Sequence, residues 1–132
     1  MAKELSISTS KRNELVDITS QISDIVKQSK VKQGICVVYC PHTTAAITIN
    51  ESADPAVQRD ILVNLSKLVP ENGDYRHSEG NSDSHIKSSL IGASETLIIQ
   101  DSKLFLGTWQ NIYFAEFDGP RQRKIIVEIL EK

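Results

Sequence analysis

The residues best suited to chemistry in this chain are its three histidines, His42, His77 and His85. Each lies in a segment rich in small polar residues, and the second and third segments also contain a carboxylate; these segments are Cys40–Thr44, Tyr75–Asn81 and Ser82–His85. Imidazole both binds divalent metals and transfers protons near neutral pH. We therefore predict that the three histidines converge on one site that holds a divalent metal. The alternative is that one or two of them are ordinary surface or hydrogen-bonded histidines.

Two cysteines, Cys36 and Cys40, are further potential metal ligands. They lie four residues apart in a segment typical of a buried strand, on the same face but too distant for an easy disulfide. Cys40 could join His42 as a ligand, because thiolate and imidazole both suit zinc. The alternative is that both are small buried hydrophobic residues, which is common for free cysteine.

Composition restricts the classes of partner. Fifteen basic and seventeen acidic residues, interspersed along 132 positions, give a net charge of −2 and no indication of nucleic-acid binding. The short basic cluster Arg121–Lys124 is typical of a solvated strand end. No apolar run approaches the length of a membrane span, and the N-terminal residues lack a signal-peptide profile. We expect a cytoplasmic protein of one domain, residues 1–132, without membrane partners.

The secondary structure elements must position the three histidines. Alternating apolar residues predict seven strands. They are Glu4–Ser8, Leu15–Thr19, Ile35–Tyr39, Thr43–Ile49, Glu95–Gln100, Gly107–Phe117 and Arg123–Leu130. The first two are predicted to pair as a hairpin around Ser10–Asn13, and the last two are joined across Asp118–Arg121. In the fourth strand, alternation separates a polar face with His42 and Thr44 from a core face with Ile47.

Three helices are predicted from apolar spacing and capping residues. Thr19 or Ser20 caps the first, which carries a narrow apolar stripe of Ile22, Ile25 and Val26. Asp54 followed by Pro55 begins the second, which runs to Pro70. The third begins at Asn81 or Ser82 and ends at Gly92, so that His85 lies in its first turn, where the helix dipole favours a neutral imidazole.

The segment Pro70–Ser84 between the second and third helices is predicted to be a loop, because it contains Asn-Gly and Gly-Asn breakers and almost no apolar residues. Loops of this length in compact domains are often functional. Strands dominate and no regular βαβ alternation occurs. The expected fold class is α+β, with mainly antiparallel sheets and two to three helices in one compact domain.

Three groups of residues, in this order, resemble the YjbQ-like family of secondary thiamine-phosphate synthases. They are Pro41–Glu51 (PHTTAAITINE) with Asp54, then His77, Gly80, Asn81 and His85, then Leu106–Gln110 (LGTWQ) followed by Glu116–Arg121 (EFDGPR). The resemblance spans nearly the whole chain. It implies a small α+β protein that assembles as a homotrimer. Some members have thiamine-phosphate synthase activity, while the main function of the family is regarded as unknown.

The resemblance also implies which polar residues belong to the site. The candidate metal ligands are His42, His77 and His85, the candidate catalytic residues are Glu51, Asp54 and Glu116, and the candidate substrate-binding residues are Thr43, Thr44, Asn50, Asn81, Gln110, Asp118 and Arg121. Joining two phosphorylated substrates with loss of pyrophosphate requires a site that neutralises anions, usually with a divalent cation. Zinc is the metal expected on the histidines, and magnesium could enter with the substrate. Arg121 offers a planar fork to a small anionic substrate.

Several residues in these motifs could instead have a purely structural role. Asp54 could serve only as a helix cap and Asp118 only to shape its turn. Trp109 in a long strand could belong to the core or a subunit interface. Glu116 lies near either the site or an interface, and a charge among such apolar neighbours is not expected to be buried unpaired. Arg121 could form a salt bridge with Glu116 or Asp118.

Three functional hypotheses follow. The first is a metal-assisted transferase or hydrolase acting on a phosphorylated or otherwise anionic small molecule. The second is a non-catalytic protein that binds a metal and a small ligand. The third is a scaffold in which the histidines contribute to subunit packing.

Overall fold

The computed structural model describes residues 2–132 as eight strands and three helices. The strands are β1 Ala2–Ser8, β2 Glu14–Asp17, β3 Gln33–Tyr39, β4 Ala45–Glu51, β5 Ser94–Gln100, β6 Lys103–Leu104, β7 Gln110–Glu116 and β8 Gln122–Glu131. The helices are α1 Thr19–Ser29, α2 Pro55–Leu68 and α3 Ser82–Ile91. The predicted α+β class is confirmed.

The strands form two sheets in which every described pair is antiparallel. Sheet A has the order β1-β8-β3-β5-β6, and sheet B has the order β2-β7-β4. The main core lies between them, where Ile47 and Phe114 of sheet B share one apolar cluster with Val38 and Val127 of sheet A. Helix α1 adds its predicted stripe to this core, including the fully buried Ile22.

The opposite face of sheet B is covered by α2 and α3. Ala46, Ala115 and Phe117 form a small second cluster there, packed against Leu65 of α2 and Ile91 of α3. Because sheet B is covered on both sides, the polar face predicted for the fourth strand is not a solvent face. Within residues 2–132, none of the helices combines the length and apolarity that crossing a bilayer requires.

The predicted hairpin of the first two strands is wrong. β1 pairs with β8 in sheet A, whereas β2 pairs with β7 in sheet B. The length of the strands explains this outcome, since β1 forms seven residue pairs with the long β8 and could form at most four with β2. The connection between β1 and β2 therefore crosses from one sheet to the other.

The predicted connection across Asp118–Arg121 also crosses between sheets, because β7 belongs to sheet B and β8 to sheet A. This crossing places Glu116, at the end of β7, next to Arg123 near the start of β8. It is held at the corner by the β1–β2 connection, since Thr9 N donates to Arg121 O at 3.0 Å. Both crossings therefore occur at one corner of the molecule.

The helices that cover sheet B are unusual in their burial. No residue of α2 is fully buried, and Leu68 at its end is 76% exposed. The buried face of α3 is polar, consisting of Asp83, Ser84, Lys87 and Ser88. Its apolar residues Ile86 and Leu90 instead face outward, 40% and 58% exposed. A single chain therefore leaves apolar surface open on this layer.

Candidate functional site

His85 lies in the first turn of α3, as predicted. Its backbone N–H donates to the carbonyl of Asn81, which begins the helix. Two serines fix the rotation of α3 against sheet B: Ser84 Oγ donates to Phe117 O at 2.5 Å, and Ser88 Oγ donates to Thr43 O at 2.6 Å. The polar buried face of the helix thus holds His85 at the surface.

His77 lies beside His85. The two ring centroids are 5.5 Å apart and the planes are nearly perpendicular, at 88°. Both rings line a cleft of about 450 Å³ whose other lining residues are Asp74, Tyr75, Arg76, Ser82 and Ile86. His77 Nε2 is 3.7 Å from Glu79 Oε2, an exposed contact. The cleft thus combines two imidazoles and a guanidinium with an apolar side chain.

His42 lines a neighbouring cleft of about 410 Å³ together with His85, Thr43 and Ser88. His85 therefore belongs to both clefts. His42 Nε2 lies 3.1 Å from both the backbone N and O of Lys124, so that this ring nitrogen is engaged with the backbone. Desolvation lowers the pKa of His42, and the positive charge of Arg123 lowers it further. These effects favour the neutral ring.

A metal site needs more ligands than this arrangement supplies in one chain. Structural and catalytic zinc sites usually have three or four protein ligands. Among residues 2–132, no three His, Cys, Asp or Glu side chains are positioned to hold one ion. Cys40 is buried and burial raises the pKa of its thiol, which disfavours the ligating thiolate. The predicted set of His42, His77 and His85 does not fit a metal within a single chain.

Glu116 is completely buried and paired with Arg123, which is 7% exposed. Arg123 Nε donates to Glu116 Oε1 at 2.8 Å, and Nη2 donates to the other carboxylate oxygen. Thr9 Oγ1 and the Asp118 N–H also donate to this carboxylate. Burial acts to raise the pKa of Glu116, but these hydrogen bonds outweigh it and lower the pKa. Its present contacts stabilise the corner between the sheets.

Arg123 was not predicted as a buried residue, because the cluster Arg121–Lys124 was interpreted as solvated. Its Nη2 also donates to Thr44 Oγ1 at 2.8 Å, which fixes the segment that carries His42. The signal was present in the alternation of β8, since Arg123 has the same parity as the core residues Ile125 and Val127.

Asp118, Asn81 and Arg121 meet beside this corner. Asn81 Nδ2 donates to Asp118 Oδ2 at 2.8 Å, and Arg121 Nη2 donates to the same oxygen at 3.0 Å. Burial acts to raise the pKa of Asp118, but hydrogen bonds from Asn81 and Arg121 outweigh it and lower the pKa. Arg121, predicted to bind an anion, makes the alternative salt bridge with Asp118 while its side chain stays half exposed.

The other candidate residues lie at the far end of sheet B. Glu51 pairs with Gln110 there, whereas Ala45 pairs with Glu116 at the end near the histidines. Six residues of strand separate these positions, which corresponds to about 20 Å. Asp54 caps α2 by accepting from Ala56 N at 2.9 Å, Asn50 accepts from Glu51 N, and Gln110 accepts from Gly107 N. One subunit does not bring these residues to the histidines.

Three further charged residues near the site were missed: Arg12, Asp83 and Lys87. Asp83 and Lys87 are almost completely buried, with Lys87 Nζ 3.5 Å from Asp83 Oδ2. Arg12 Nη2 donates to Asp83 Oδ1 at 2.9 Å. The spacing of an acid four residues before a base on one helix is a signal for the Asp83–Lys87 pair. Arg12 carries no such signal, because its partners are remote in sequence.

Comparison with known proteins agrees with this fold over the whole chain. The family model described as "UPF0047 protein YjbQ-like" matches residues 3–132. A UPF0047 protein of Methanocaldococcus jannaschii is 61% identical over 94% of this chain and 90% of its own length. The UPF0047 protein YugU of Bacillus subtilis is 47% identical over 98% of this chain and 99% of its own length.

Solved structures agree equally well. A YjbQ/UPF0047 family protein from Clostridium acetobutylicum has 58% identity and a TM-score of 0.96, covering 97% of this chain and 99% of its own. A YbjQ-like protein of unknown function from Sulfolobus solfataricus has 37% identity and a TM-score of 0.96, covering 100% of this chain and 97% of its own. Sequence and fold together show that the chain belongs to the YjbQ-like UPF0047 family.

Proposed function

We propose that this protein is an enzyme that acts on a phosphorylated or otherwise anionic small molecule in the clefts around His85. The single observation that supports this function best is the position of His85 between His77 and His42, as a lining residue of both clefts. When His42 Nε2 donates to Lys124 O, the neutral ring keeps a lone pair on Nδ1, which can accept a proton from a bound substrate. Thiamine-phosphate synthesis is one candidate reaction, and the cytoplasm is the expected location.

Two arginines support the proposal of an anionic ligand, although Asp74 also lines the first cleft. Arg76 lines the same cleft as His77 and His85. Arg121 is not among the residues that line the two clefts, but it is half exposed and holds Asp118 through only part of its guanidinium, so it can offer its remaining donors to an anion. Thr43 lines the second cleft and adds a hydroxyl group.

The proposal includes a divalent metal, with zinc as the first choice, that binds only to the assembled protein. One subunit presents His77 and His85 together, and a third ligand must come from a moved His42 or from a neighbouring subunit. The carboxylates of Glu51 and Asp54 are suitable donors in a neighbour.

A homotrimer would explain two features of the subunit. It would cover the outward apolar residues Leu68, Ile86 and Leu90. A cyclic assembly joins two different surfaces of each subunit. It could therefore place the end of sheet B with Glu51, Asp54 and Gln110 next to the histidines of a neighbour.

The test begins with metal analysis and sedimentation of protein purified without an affinity tag. A screen of phosphorylated substrates, including those of thiamine-phosphate synthesis, then compares the natural chain with His85→Ala and with Asn64→Ala, an exposed control on α2. Turnover that is lost in His85→Ala and retained in Asn64→Ala supports an enzyme. Saturable binding without turnover would support the binding-protein hypothesis, and the absence of both would support a scaffold.

A further inference from the structure

The loop between α2 and α3 is fastened to the molecule at its two ends. Residues 71–80 are exposed, except for Tyr75, which is partly buried. The loop lines the cleft of His85 and places His77 against the edge of that ring. An exposed loop with few buried apolar contacts belongs to the part of a protein that opens most easily.

One side chain, Arg12, contacts both ends of this loop. Its Nε lies 2.7 Å from Glu71 Oε1, an ion contact that is not aligned as a hydrogen bond. Its Nη2 donates to Gly80 O at 3.2 Å. The same guanidinium is anchored in the body of the molecule by Asp83 at 2.9 Å and by Asp118 at 3.5 Å. Arg12 therefore ties the two ends of the loop to buried carboxylates.

Hydrogen bonds of Tyr75 hold the first half of the loop together. Tyr75 Oη donates to Pro70 O, and Tyr75 N donates to Gly73 O at 2.9 Å. Gly80 has a φ of 78°, where an added Cβ would meet no other atom. Backbone with this freedom can absorb the rotation of a hinge.

We propose that residues 71–80 form a flap over the histidine cleft and that Arg12 is the latch that holds it closed. Arg12 is thus a positioning residue for His77. A lysine cannot replace it, because one ammonium group cannot reach the loop ends and both carboxylates in a fixed plane. The flap is independent of the proposed function, whereas the ligand that it encloses rests on that function.

Trypsin provides the first test, because Arg76 is the only lysine or arginine in residues 70–80. The rate of cleavage after Arg76 should rise when the loop detaches from the molecule, because proteolysis increases with local opening. In Arg12→Gln we expect the cleavage rate to rise at least tenfold, with a smaller rise in Glu71→Gln and no change in Arg59→Gln, whose guanidinium contacts only exposed Asp60. Glu71→Gln leaves the buried Asp83 paired, so it remains informative if Arg12→Gln folds poorly. Unchanged cleavage in both variants would overturn the latch.

Proton NMR provides the second test, because the chain has only three histidine rings. We expect a cross-peak between the rings of His77 and His85 in the natural protein and in Arg59→Gln, and its loss in Arg12→Gln and Arg12→Lys. A cross-peak that persists in both Arg12 variants would show that His77 does not depend on Arg12.

Binding of Zn²⁺ and of inorganic phosphate separates this inference from the proposed function. If the natural protein binds either probe, Arg12→Lys should weaken that binding about tenfold, and equal affinities would overturn the positioning role. If the natural protein binds neither, the proposed function fails, while the trypsin and NMR results still decide whether the flap exists.

Discussion

The pair of Glu116 and Arg123 shows how a buried charge can be tolerated in a small domain. Removing two charges from water costs several kcal/mol, which their attraction offsets only when the remaining donors and acceptors are also satisfied. Glu116 receives hydrogen bonds from Arg123, Thr9 and Asp118 N, and Arg123 also donates to Thr44. The pair therefore links the β1–β2 connection, the His42 segment and the β7–β8 connection at one corner.

Replacement of Arg123 by methionine should destabilise the protein by about 3–5 kcal/mol at pH 7, because Glu116 is left buried without its cation. The folded pKa of Glu116 is lowered from its ordinary 4.5, so the pair contributes stability above pH 4.5 that is lost as pH falls through the folded value. In Arg123→Met the pKa of Glu116 should rise instead. Urea denaturation between pH 4 and 7 should show the two stabilities converging toward acid.

The matched control is the double variant Glu116→Gln with Arg123→Met, which removes both charges. It should recover much of the loss at pH 7 and show little of the pH dependence. A loss in Arg123→Met that is constant with pH would contradict a role for the charge of Glu116.

Substitution of Asp54 can distinguish a role in capping α2 from a role in catalysis. Asp54→Ala should cost about 1 kcal/mol, because the Ala56 N–H loses its acceptor at the start of α2. Asp60→Ala, on the exposed face of the same helix, should change the free energy of unfolding by less than about 0.5 kcal/mol. Loss of activity from Asp54→Ala in an assay that Asp60→Ala leaves intact would show that Asp54 does more than cap the helix.

At the residue scale, features that depend on nearby residues in the sequence were easier to predict than contacts between remote residues. The capping of α2 by Asp54 and the position of His85 in the first turn of α3 were predictable, because each depends on neighbours within four residues. The contacts of Arg12 and Arg123 were not, since their partners lie up to 106 and 79 positions away. Only the alternation of β8 indicated that Arg123 points inward.

Helix α3 is the element whose chemistry departs most from an ordinary amphipathic helix. Its buried face is made of serines, an aspartate and a lysine, and each finds a partner on sheet B, α2 or the β1–β2 connection. Hydrogen bonds are directional, so this face sets the rotation of the helix more precisely than apolar contact would. The consequence is that His85 is held between the two clefts.

The end of α3 depends on Gly92, which has a φ of 104° and a ψ of 155°. This region is open essentially only to glycine. Gly92→Ala should therefore destabilise the protein by about 1–3 kcal/mol although an added Cβ would meet no atom. Chemical denaturation measures this effect. Gly107→Ala, at a glycine without positive φ, should cost less, and an equal cost for both would contradict the role of backbone conformation.

The sequence predicted which elements form better than how they pair. All seven predicted strands and three helices are present, because periodicity and caps are local properties. The β1–β2 hairpin was wrong because pairing depends on the length of remote strands, and β8 offers β1 a longer partner. The start of α1 also differs from the prediction. Thr19 or Ser20 was expected to cap the helix, whereas the carboxylate of Asp17 accepts a hydrogen bond from Thr19 N.

In the whole molecule, the candidate residues fall into two groups at opposite ends of sheet B. Family resemblance identified the members of both groups, but it did not indicate the distance between them. That distance follows from the register of β4 with β7. If all of these residues serve one site, then assembly is required to complete it.

Trp109 is the only tryptophan in the chain and reports on such an assembly. Its side chain is 62% exposed in the subunit and lies beside the far group, where its carbonyl accepts from Ser52 N. In the proposed trimer its fluorescence should be shifted to shorter wavelength and protected from acrylamide, and dilution below the dissociation constant of the trimer should reverse both effects. An emission typical of exposed indole in a sample that sediments as a trimer would place Trp109 outside the interface.

The two cysteines give the molecule a further experimental property. Cys36 and Cys40 are free and buried in the core, and burial raises the pKa of the Cys36 thiol to about 11 and also raises that of Cys40. Since alkylation requires the thiolate, the folded chain should be inert to maleimides near neutral pH. A single cysteine introduced on the flap, for example Ser78→Cys, can therefore carry a fluorophore or spin label without removal of the native cysteines. Reaction of the native pair can then serve, in the same molecule, as a measure of global unfolding.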